Sequence, residues 1–365
     1  MDKDAKIFVA GHRGLAGSAI TKKLKDKGYT NIITKTKSEL DLSRQEAVEK
    51  FFEKEKPDYV FLAAAKVGGI LANNTYPANF IYDNLAIALN VIHSAYKYGV
   101  KKLLNLGSSC IYPKYAPQPM KEEYLLTGSL EPTNEAYAIA KISAIKLVRY
   151  YNQQYNTNFI SVMPTNLYGS NDNFNLETSH VLPALIRKLH LAKLLEQGNI
   201  EDIKKDFKKY PIGFGLDKEI DFNNDETILK VLSKLGIKPS IENLTSKVYL
   251  EVWGSGEIYR EFLHVDDLAD ACVYLMENVD ANEMDRLCQD YFVNIGTGID
   301  IKLKDLVIMI KEIVGFKGKI KNDLSKPDGT PRKLLDVSKI KQLGWEAKIS
   351  LEEGIKQIYK NYELK

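Results

Sequence analysis

The chain has 365 residues, 44% of them hydrophobic and 27% charged, with a formal net charge of +3. That length predicts one large domain or two fused ones, and the ordinary balance of apolar and charged residues predicts a globular protein. Acidic and basic residues are interspersed, without the basic stripe that nucleic-acid binding needs. The first 170 residues alternate short apolar runs with helical patterns. "KIFVAG" (Lys6–Gly11) reads as a strand, "GLAGSAITKKLKDKG" as a helix closed by Gly28, and "NIITK" as a second strand. The helix in "DLSRQEAVEKFFEKEKP" is expected to start at Ser43 as N-cap, with Glu46 completing a capping box. "DYVFLAAA" is a strand, 78–98 a long helix, "KKLLNLGSS" a strand, Glu135–Tyr155 a helix and "FISVMP" a strand. Continuous apolar strands alternating with helices predict an α/β fold with a parallel, doubly covered sheet.

After Tyr168 the pattern loosens. "SHVLPALIRKLHLAKLL" is helical and "VYLEVWGSG" a strand, while "FLHVDDLADACVYLMEN" is a strand running into a helix. "YFVNIGTG", near 291–296, is a further strand expected to return to the first domain. The expected organisation is a cofactor-binding domain over 1–170 and a smaller mixed α/β lobe over 171–365. Within that lobe, the polar, charge-dense stretch 196–245 looks inserted and carries one fair helix, Glu226–Leu235, stopped by Gly236. Cys110, Cys272 and Cys288 have no CxxC spacing, which argues against a disulfide framework or a zinc site, and no metal is expected. No apolar run reaches about eighteen residues and the first strand follows no signal-like segment, so a cytoplasmic setting is expected.

"GHRGLAG" places Gly11, Gly14 and Gly17 between a strand and a helix. Such glycines permit a tight turn and close backbone approach, and the helix N-terminus offers N–H donors to a pyrophosphate. NAD enzymes usually place an acid after the second strand, for the ribose 2′-hydroxyl. Here Lys35 and Lys37 stand there, with Arg13 in the glycine turn, which favours the 2′-phosphate of NADP; a merely solvated lysine face is the alternative. "YAIAK" puts Tyr137 and Lys141 on one helix face at i, i+4. A phenol with a reference pKa of about 10 is a poor acid at neutral pH, and a neighbouring ammonium is expected to lower that value. Ser108, at the end of the preceding strand, is placed to hold a substrate carbonyl oxygen in the manner of an oxyanion hole. Cys110 lies two residues on, where strand alternation would turn it to the same face; it is either a small core residue or a proton-transfer group.

Together these motifs resemble an extended short-chain dehydrogenase/reductase with a Rossmann-type sheet. "AGHRGLAGSAI", "AAAKVGGI", "LGSSCIYPK", "LEPTNEAYAIAK", "SVMPTNLYG", "DNFNLETSHVLPALIRK", "VWGSG", "REFLHVDDLA" and "KPDGTPRKLLD" are similar to the GDP-L-fucose synthase family. Those enzymes are NADPH-dependent GDP-4-keto-6-deoxymannose 3,5-epimerase/4-reductases. The resemblance covers almost the whole chain except the inserted stretch.

The resemblance implies that Tyr137 protonates the oxyanion left by hydride transfer to C4. Lys141 would bind the nicotinamide ribose and tune Tyr137, and Ser108 would hold the ketone. Cys110 and His180 would move the protons at C3 and C5, a task open to a thiol and an imidazole near neutral pH. Cofactor contacts are implied for Gly11, Arg13, Gly14, Leu15, Gly17, Lys35, Lys37, Asp41, Leu42, Ala64, Leu106, Gly107, Lys141, Pro164, Asn166, Leu167 and His180. Substrate contacts are implied for Ser109, Asn166, Val181, Lys188, Trp253, Arg260 and Asp328. Arg260 suits a diphosphate through bidentate charge-assisted bonds, while Trp253 has core packing as its plain alternative. His12 flanks the glycine turn, where it could touch a cofactor phosphate; His93, His190 and His264 have structural readings.

Relatives of the family also reduce GDP-4-keto heptoses, so a reductase-only enzyme of surface-polysaccharide pathways is the second reading. A nucleotide-sensing binding protein is a third, opposed by the intact Ser108, Tyr137 and Lys141. An NAD-retaining sugar 4-epimerase is disfavoured by the basic end of the second strand. A homodimer is expected from the resemblance, with a GDP-4-keto sugar as substrate and neither nucleic acid nor membrane as partner.

Overall fold

The computed structural model describes residues 1–239, 248–326 and 328–364. Residues 240–245 of the stretch read as inserted, and Pro327 of "KPDGTPRKLLD", lie outside the described residues. Strand β1 (Ile7–Ala10) runs into α1 (Leu15–Asp26), followed by β2 (Ile32–Ile33), α2 (Gln45–Glu55) and β3 (Tyr59–Leu62). Two helices, α3 (Ile70–Thr75) and α4 (Pro77–Lys97), lead to β4 (Lys102–Leu106); then come α5 (Glu135–Tyr155), β5 (Phe159–Pro164) and β6 (Asn166–Tyr168). The middle of the chain carries α6 (Val181–Glu196), α7 (Ile200–Lys209), α8 (Asp225–Lys234), β7 (Ile237–Pro239) and β8 (Val248–Trp253). It continues through β9 (Tyr259–His264), α9 (Val265–Asn278), α10 (Ala281–Leu287), β10 (Phe292–Ile295), β11 (Asp300–Lys302) and α11 (Leu303–Val314). The last elements are β12 (Lys319–Asp323), β13 (Arg332–Lys333), α12 (Ser338–Gln342) and α13 (Leu351–Leu364).

The chain divides into two compact units. The first comprises Met1–Asn171, Glu261–Ile299 and Lys333–Ile349; the second comprises Asp172–Arg260, Asp300–Arg332 and Ser350–Lys365. In the first, six strands form a parallel sheet in the order β10-β5-β4-β3-β1-β2. Strands β1, β4, β5 and β10 are buried along their whole length, as a sheet covered on both faces requires. Phe8 of β1 packs on Phe51 and Phe52 of α2, with ring centroids 4.6 Å and 6.0 Å away. The chain leaves β1 toward β2 on one side and resumes with β3 on the other. That reversal is the topological switch point at which open α/β sheets of the Rossmann type bind ligands.

One local expectation fails. Helix α2 has Arg44 as its N-cap, without a side-chain cap bond, because Ser43 is drawn away: its backbone N–H and its hydroxyl both donate to the Asp41 carboxylate, at 3.0 Å and 2.8 Å. In the second unit, β7, β8 and β12 form a mixed sheet. Among its described residues the charge-dense stretch holds two full helices rather than one, since α7 precedes α8.

Candidate active site

The glycine turn sits at the end of β1. A Cβ on Gly11, whose φ is +85°, would lie 2.7 Å from the Ala64 backbone, and one on Gly17 would lie 2.1 Å from the Gly11 carbonyl oxygen. Both positions therefore exclude any side chain, and the turn brings the ends of β1 and β3 together. Helix α1 begins at Leu15, with Gly14 as an N-cap that has no side chain to occupy the first N–H groups. The buried Nδ1 of His12 has no partner among the described residues. An open helix N-terminus and an orphaned imidazole nitrogen are what a pyrophosphate would satisfy, so the turn fits a dinucleotide.

Lys35 and Lys37 follow β2, and neither they nor Arg13 forms an ion pair among the described residues. Asp41 is committed to Ser43, whose hydrogen bonds hold its carboxyl below the usual range. Leu42 is half-buried and packs against the core.

Strand β4 ends at Leu106, three residues before the expected strand end. At Gly107 a Cβ would lie 2.1 Å from the Met163 methyl. From there the chain enters a short 3-10 turn, Ser109–Ile111, with Ser108 as its N-cap: the Ser108 hydroxyl accepts from the Cys110 N–H at 3.3 Å. A capped turn, rather than strand alternation, thus sets Ser108 beside Cys110. Ser109 is buried within the turn.

Tyr137, near the start of α5, is half-buried, with Ser108 and Cys110 as its polar neighbours. The expected acidification of this phenol is not observed. Burial pushes Tyr137 well above its ordinary value, Cys110 adds to the rise, and only the polar Ser108 side chain opposes it. The reason is the path of Lys141. Its ammonium donates to the Leu106 carbonyl at 2.7 Å and stands 5.8 Å from the centre of the Tyr137 ring, so it does not bond the phenol directly. Burial in turn lowers Lys141 to about 8.

Two residues of this region carry signals that motif reading passed over. Asn134, in the turn before α5, points its amide N–H at the Cys110 sulfur at 3.4 Å, while its carbonyl oxygen is buried without a partner among the described residues. Glu261 is fully buried; its carboxylate accepts the N–H groups of Gly298 (2.7 Å) and Leu335 (3.0 Å), and burial raises its pKa. Its backbone carbonyl accepts from Asn166 Nδ2 at 2.8 Å and from the Thr165 hydroxyl at 3.3 Å, which orients the "PTN" triplet beyond Pro164. Leu167 continues that edge by pairing with Leu263. The signal for Glu261 was a carboxylate inside the apolar strand "EFLHV".

In the second unit, His180 is the N-cap of α6 and Val181 its first residue, both exposed at an edge. Desolvation nevertheless holds the His180 imidazole below its ordinary value. Lys188, two turns on, has no hydrogen-bond partner among the described residues, and burial lowers it to about 8 despite Glu251. Its ammonium lies 5.8 Å from the centre of the Trp253 ring, and that of Lys326 5.4 Å. Trp253 is 60% exposed, which overturns the core-packing alternative. Arg260, mostly buried, donates through one nitrogen to the carbonyls of Tyr259 and Thr330, both at 2.6 Å. Asp328 is occupied by Ser255, whose N–H and hydroxyl donate to its two oxygens at 2.9 Å and 2.7 Å. An exposed indole between cations and a desolvated, unpaired amine suits an aromatic base joined to phosphates.

Residues 7–205 and 236–296 match the model of the NAD dependent epimerase/dehydratase family, which leaves 206–235 outside it. The chain is 53% identical over 361 residues to "GDP-L-fucose synthase 1" of Arabidopsis thaliana, covering 99% of this chain and 94% of the relative. Among solved structures it is similar to a GDP-6-OMe-4-keto-L-xylo-heptose reductase from C. jejuni, at 44% identity and a TM-score of 0.90, covering 100% of this chain and 99% of the other. It is also similar to a GDP-mannoheptose C4 reductase from Campylobacter jejuni with NADP bound, at 43% identity and a TM-score of 0.86, with the same coverage.

Proposed function

The chain belongs to the GDP-L-fucose synthases within the NAD dependent epimerase/dehydratase family, and from that premise we propose the reaction it carries out. It reduces the C4 ketone of a GDP-4-keto-6-deoxy sugar with NADPH and inverts C3 and C5. NADPH, when bound, supplies the hydride. The glycine turn and the N-terminus of α1 hold its pyrophosphate, and Arg13, Lys35 and Lys37 receive the 2′-phosphate. Lys141 binds the nicotinamide ribose, while Asn166 and its neighbours line the nicotinamide side.

Ser108 holds the ketone oxygen, and Tyr137 donates its proton to the alkoxide. The raised pKa of Tyr137 keeps that proton on the phenol until a stronger base, the alkoxide, forms beside it. Epimerisation uses the acidity that the ketone lends to its neighbouring carbons. A C–H bond breaks, its electron pair enters the enolate, and a proton returns to the opposite face. Cys110 and His180 carry these protons: the lowered pKa of His180 keeps it neutral and able to accept one, and Asn134 offers a donor to the Cys110 sulfur. Lys188 and Arg260 bind the diphosphate, and Trp253 lies against the rest of the nucleotide. The observation that carries this reading is the Ser108 hydroxyl taking the Cys110 N–H, with the Asn134 amide on the sulfur and Tyr137 beside Ser108 and Cys110.

A second reading, a reductase acting on a GDP-4-keto heptose without epimerisation, draws on the two heptose reductases that share this fold at 43–44% identity. Incubation with GDP-4-keto-6-deoxymannose in deuterated water separates the two. Deuterium at C3 and C5 of the product supports epimerisation; a product without it, or no turnover unless a heptose is supplied, favours the second reading. A cytoplasmic homodimer is the working arrangement; no helix among the described residues is long and apolar enough to cross a membrane.

A further inference from the structure

Helix α6 carries His180 at its N-cap and Lys188 on its second turn, and between them in sequence, next to Lys188, stands Arg187. Its side chain is fully buried, and every face of the guanidinium is occupied. Nε and one terminal nitrogen meet the Asp206 carboxylate, both at 2.9 Å; the other contacts are the carbonyls of Phe174 (2.8 Å), Tyr210 (2.8 Å) and Pro211 (2.7 Å). Asp206 also accepts the Tyr362 hydroxyl, and the Tyr362 ring stacks on Tyr210 at 5.3 Å and 10°. A buried arginine thereby joins three segments: the loop 172–179, helix α6 and the stretch that begins at Asp206.

That stretch returns to the loop a second time. The Glu177 carboxylate accepts the Phe214 N–H at 2.7 Å, three residues before His180. Gly213, at φ +85°, approaches so closely that a Cβ there would lie 2.4 Å from the Glu177 Cβ. Asp217 fixes the approach from behind by accepting the N–H groups of Ile212 and Gly213, both at 2.8 Å. The loop itself is wound on Asn175, whose side-chain oxygen accepts from Glu177 and Thr178 and whose carbonyl accepts from Ser179. The family model ends its first match at residue 205 and resumes at 236, so Asp206, Phe214 and Asp217 belong to an addition to the common frame.

We propose that residues 206–217 are a strut built onto the common fold that fixes the loop before α6, and with it His180, through Arg187–Asp206 at one end and Glu177–Phe214 at the other. Glu177 and Asp217 are positioning residues for proton transfer at the sugar. The role rests on the assignment of His180 to that transfer. It also explains why an arginine is spent in the interior: its five donors in a rigid fork meet all five of these contacts, whereas a lysine ammonium has only three.

The test uses the full-length enzyme with NADP and GDP-4-keto-6-deoxymannose in deuterated water, following deuterium uptake at C3 and C5 by mass spectrometry. Glu177→Ala is expected to lower the uptake rate about ten- to hundredfold, the scale on which a misplacement of about 1 Å costs rate. Glu177→Gln, which keeps an acceptor for the Phe214 N–H, restores it to near the parent value. Asp217→Ala, at an exposed position and acting from the opposite side of the contact, lowers uptake in the same direction. GDP affinity remains within about twofold in all three, since Lys188 and Arg260 are untouched. Uptake by Glu177→Ala and Asp217→Ala equal to that of the parent, with His180→Asn inactive, overturns the strut while leaving His180 in its role. Uptake unaffected by His180→Asn, or absent from the parent enzyme, overturns the assignment of His180 itself.

Discussion

The amide nitrogen of Asn134 stands 3.4 Å from the sulfur of Cys110. Asparagine cannot take a proton from the thiol, but its N–H donates to the sulfur. The pair joins the turn that opens α5 to the turn that follows β4, so one short contact couples the two places where the chain concentrates its reactive groups. Asn134→Ala leaves the Cys110 sulfur without this donor as it exchanges its proton. Deuterium uptake at the α-carbons is expected to fall about ten- to hundredfold, the worth of a hydrogen bond to a charged group. Reduction of an already epimerised keto sugar should be nearly unchanged, and comparison of the two rates checks the division.

Tyr137→Phe removes the proton donor to the alkoxide while preserving the ring that packs edge-on against Phe80 at 6.4 Å. NADPH oxidation is expected to fall by about a factor of 100 to 10,000, the usual share of general acid catalysis. NADPH affinity, read by fluorescence titration, should stay within about twofold.

Lys141 is held near 8 by burial, so it is cationic below that pH and neutral above it. Turnover is expected to decline as the pH rises through about 8, because the neutral amine no longer offers its charge to the cofactor ribose. The pH profile of kcat checks the limb, and in Lys141→Met the limb should vanish together with most of the activity.

Lys35 carries no ion pair among the described residues and is free to meet a phosphate. Lys35→Ala is expected to reduce the preference for NADPH over NADH about tenfold or more, since a charge-assisted bond contributes roughly 1.5–3 kcal/mol. The ratio of kcat/KM for the two cofactors measures it, and the loss should shrink at high salt.

Arg187→Met fills the space and strands the Asp206 carboxylate among Tyr210 and Tyr362. Removing one partner of a buried ion pair costs about 3–5 kcal/mol. The double variant Arg187→Met/Asp206→Leu should recover much of the stability lost, and thermal unfolding of the three proteins separates the cost of the stranded charge from that of lost packing.

Much of the first unit is legible in the sequence because its signals are local. Helix α5 spans Glu135–Tyr155, as its pattern predicts, and the glycine turn announces the switch point through spacing alone. The failures share one cause, a partner distant in sequence or a competitor close by. Ser43 has the residue type and the spacing of an N-cap, yet Asp41 captures its hydroxyl first. Helix α7 looks like a solvated charge run because one of its buried positions is Asp206, and only Arg187, nineteen residues earlier, explains a carboxylate there. Tyr137 and Lys141 are read correctly as neighbours on a helix, but the sequence does not show that the Leu106 carbonyl claims the ammonium.

The sheet order has a consequence for how the protein is made. Strand β5, buried at all six of its residues, pairs on one side with β4 and on the other with β10. The ribosome must therefore extend the chain from Pro164 to Phe292 before β5 gains its second neighbour. Throughout that interval a growing polypeptide displays the unpaired edge of an apolar strand, an invitation to aggregate. A fragment ending near residue 171 would keep that edge permanently open.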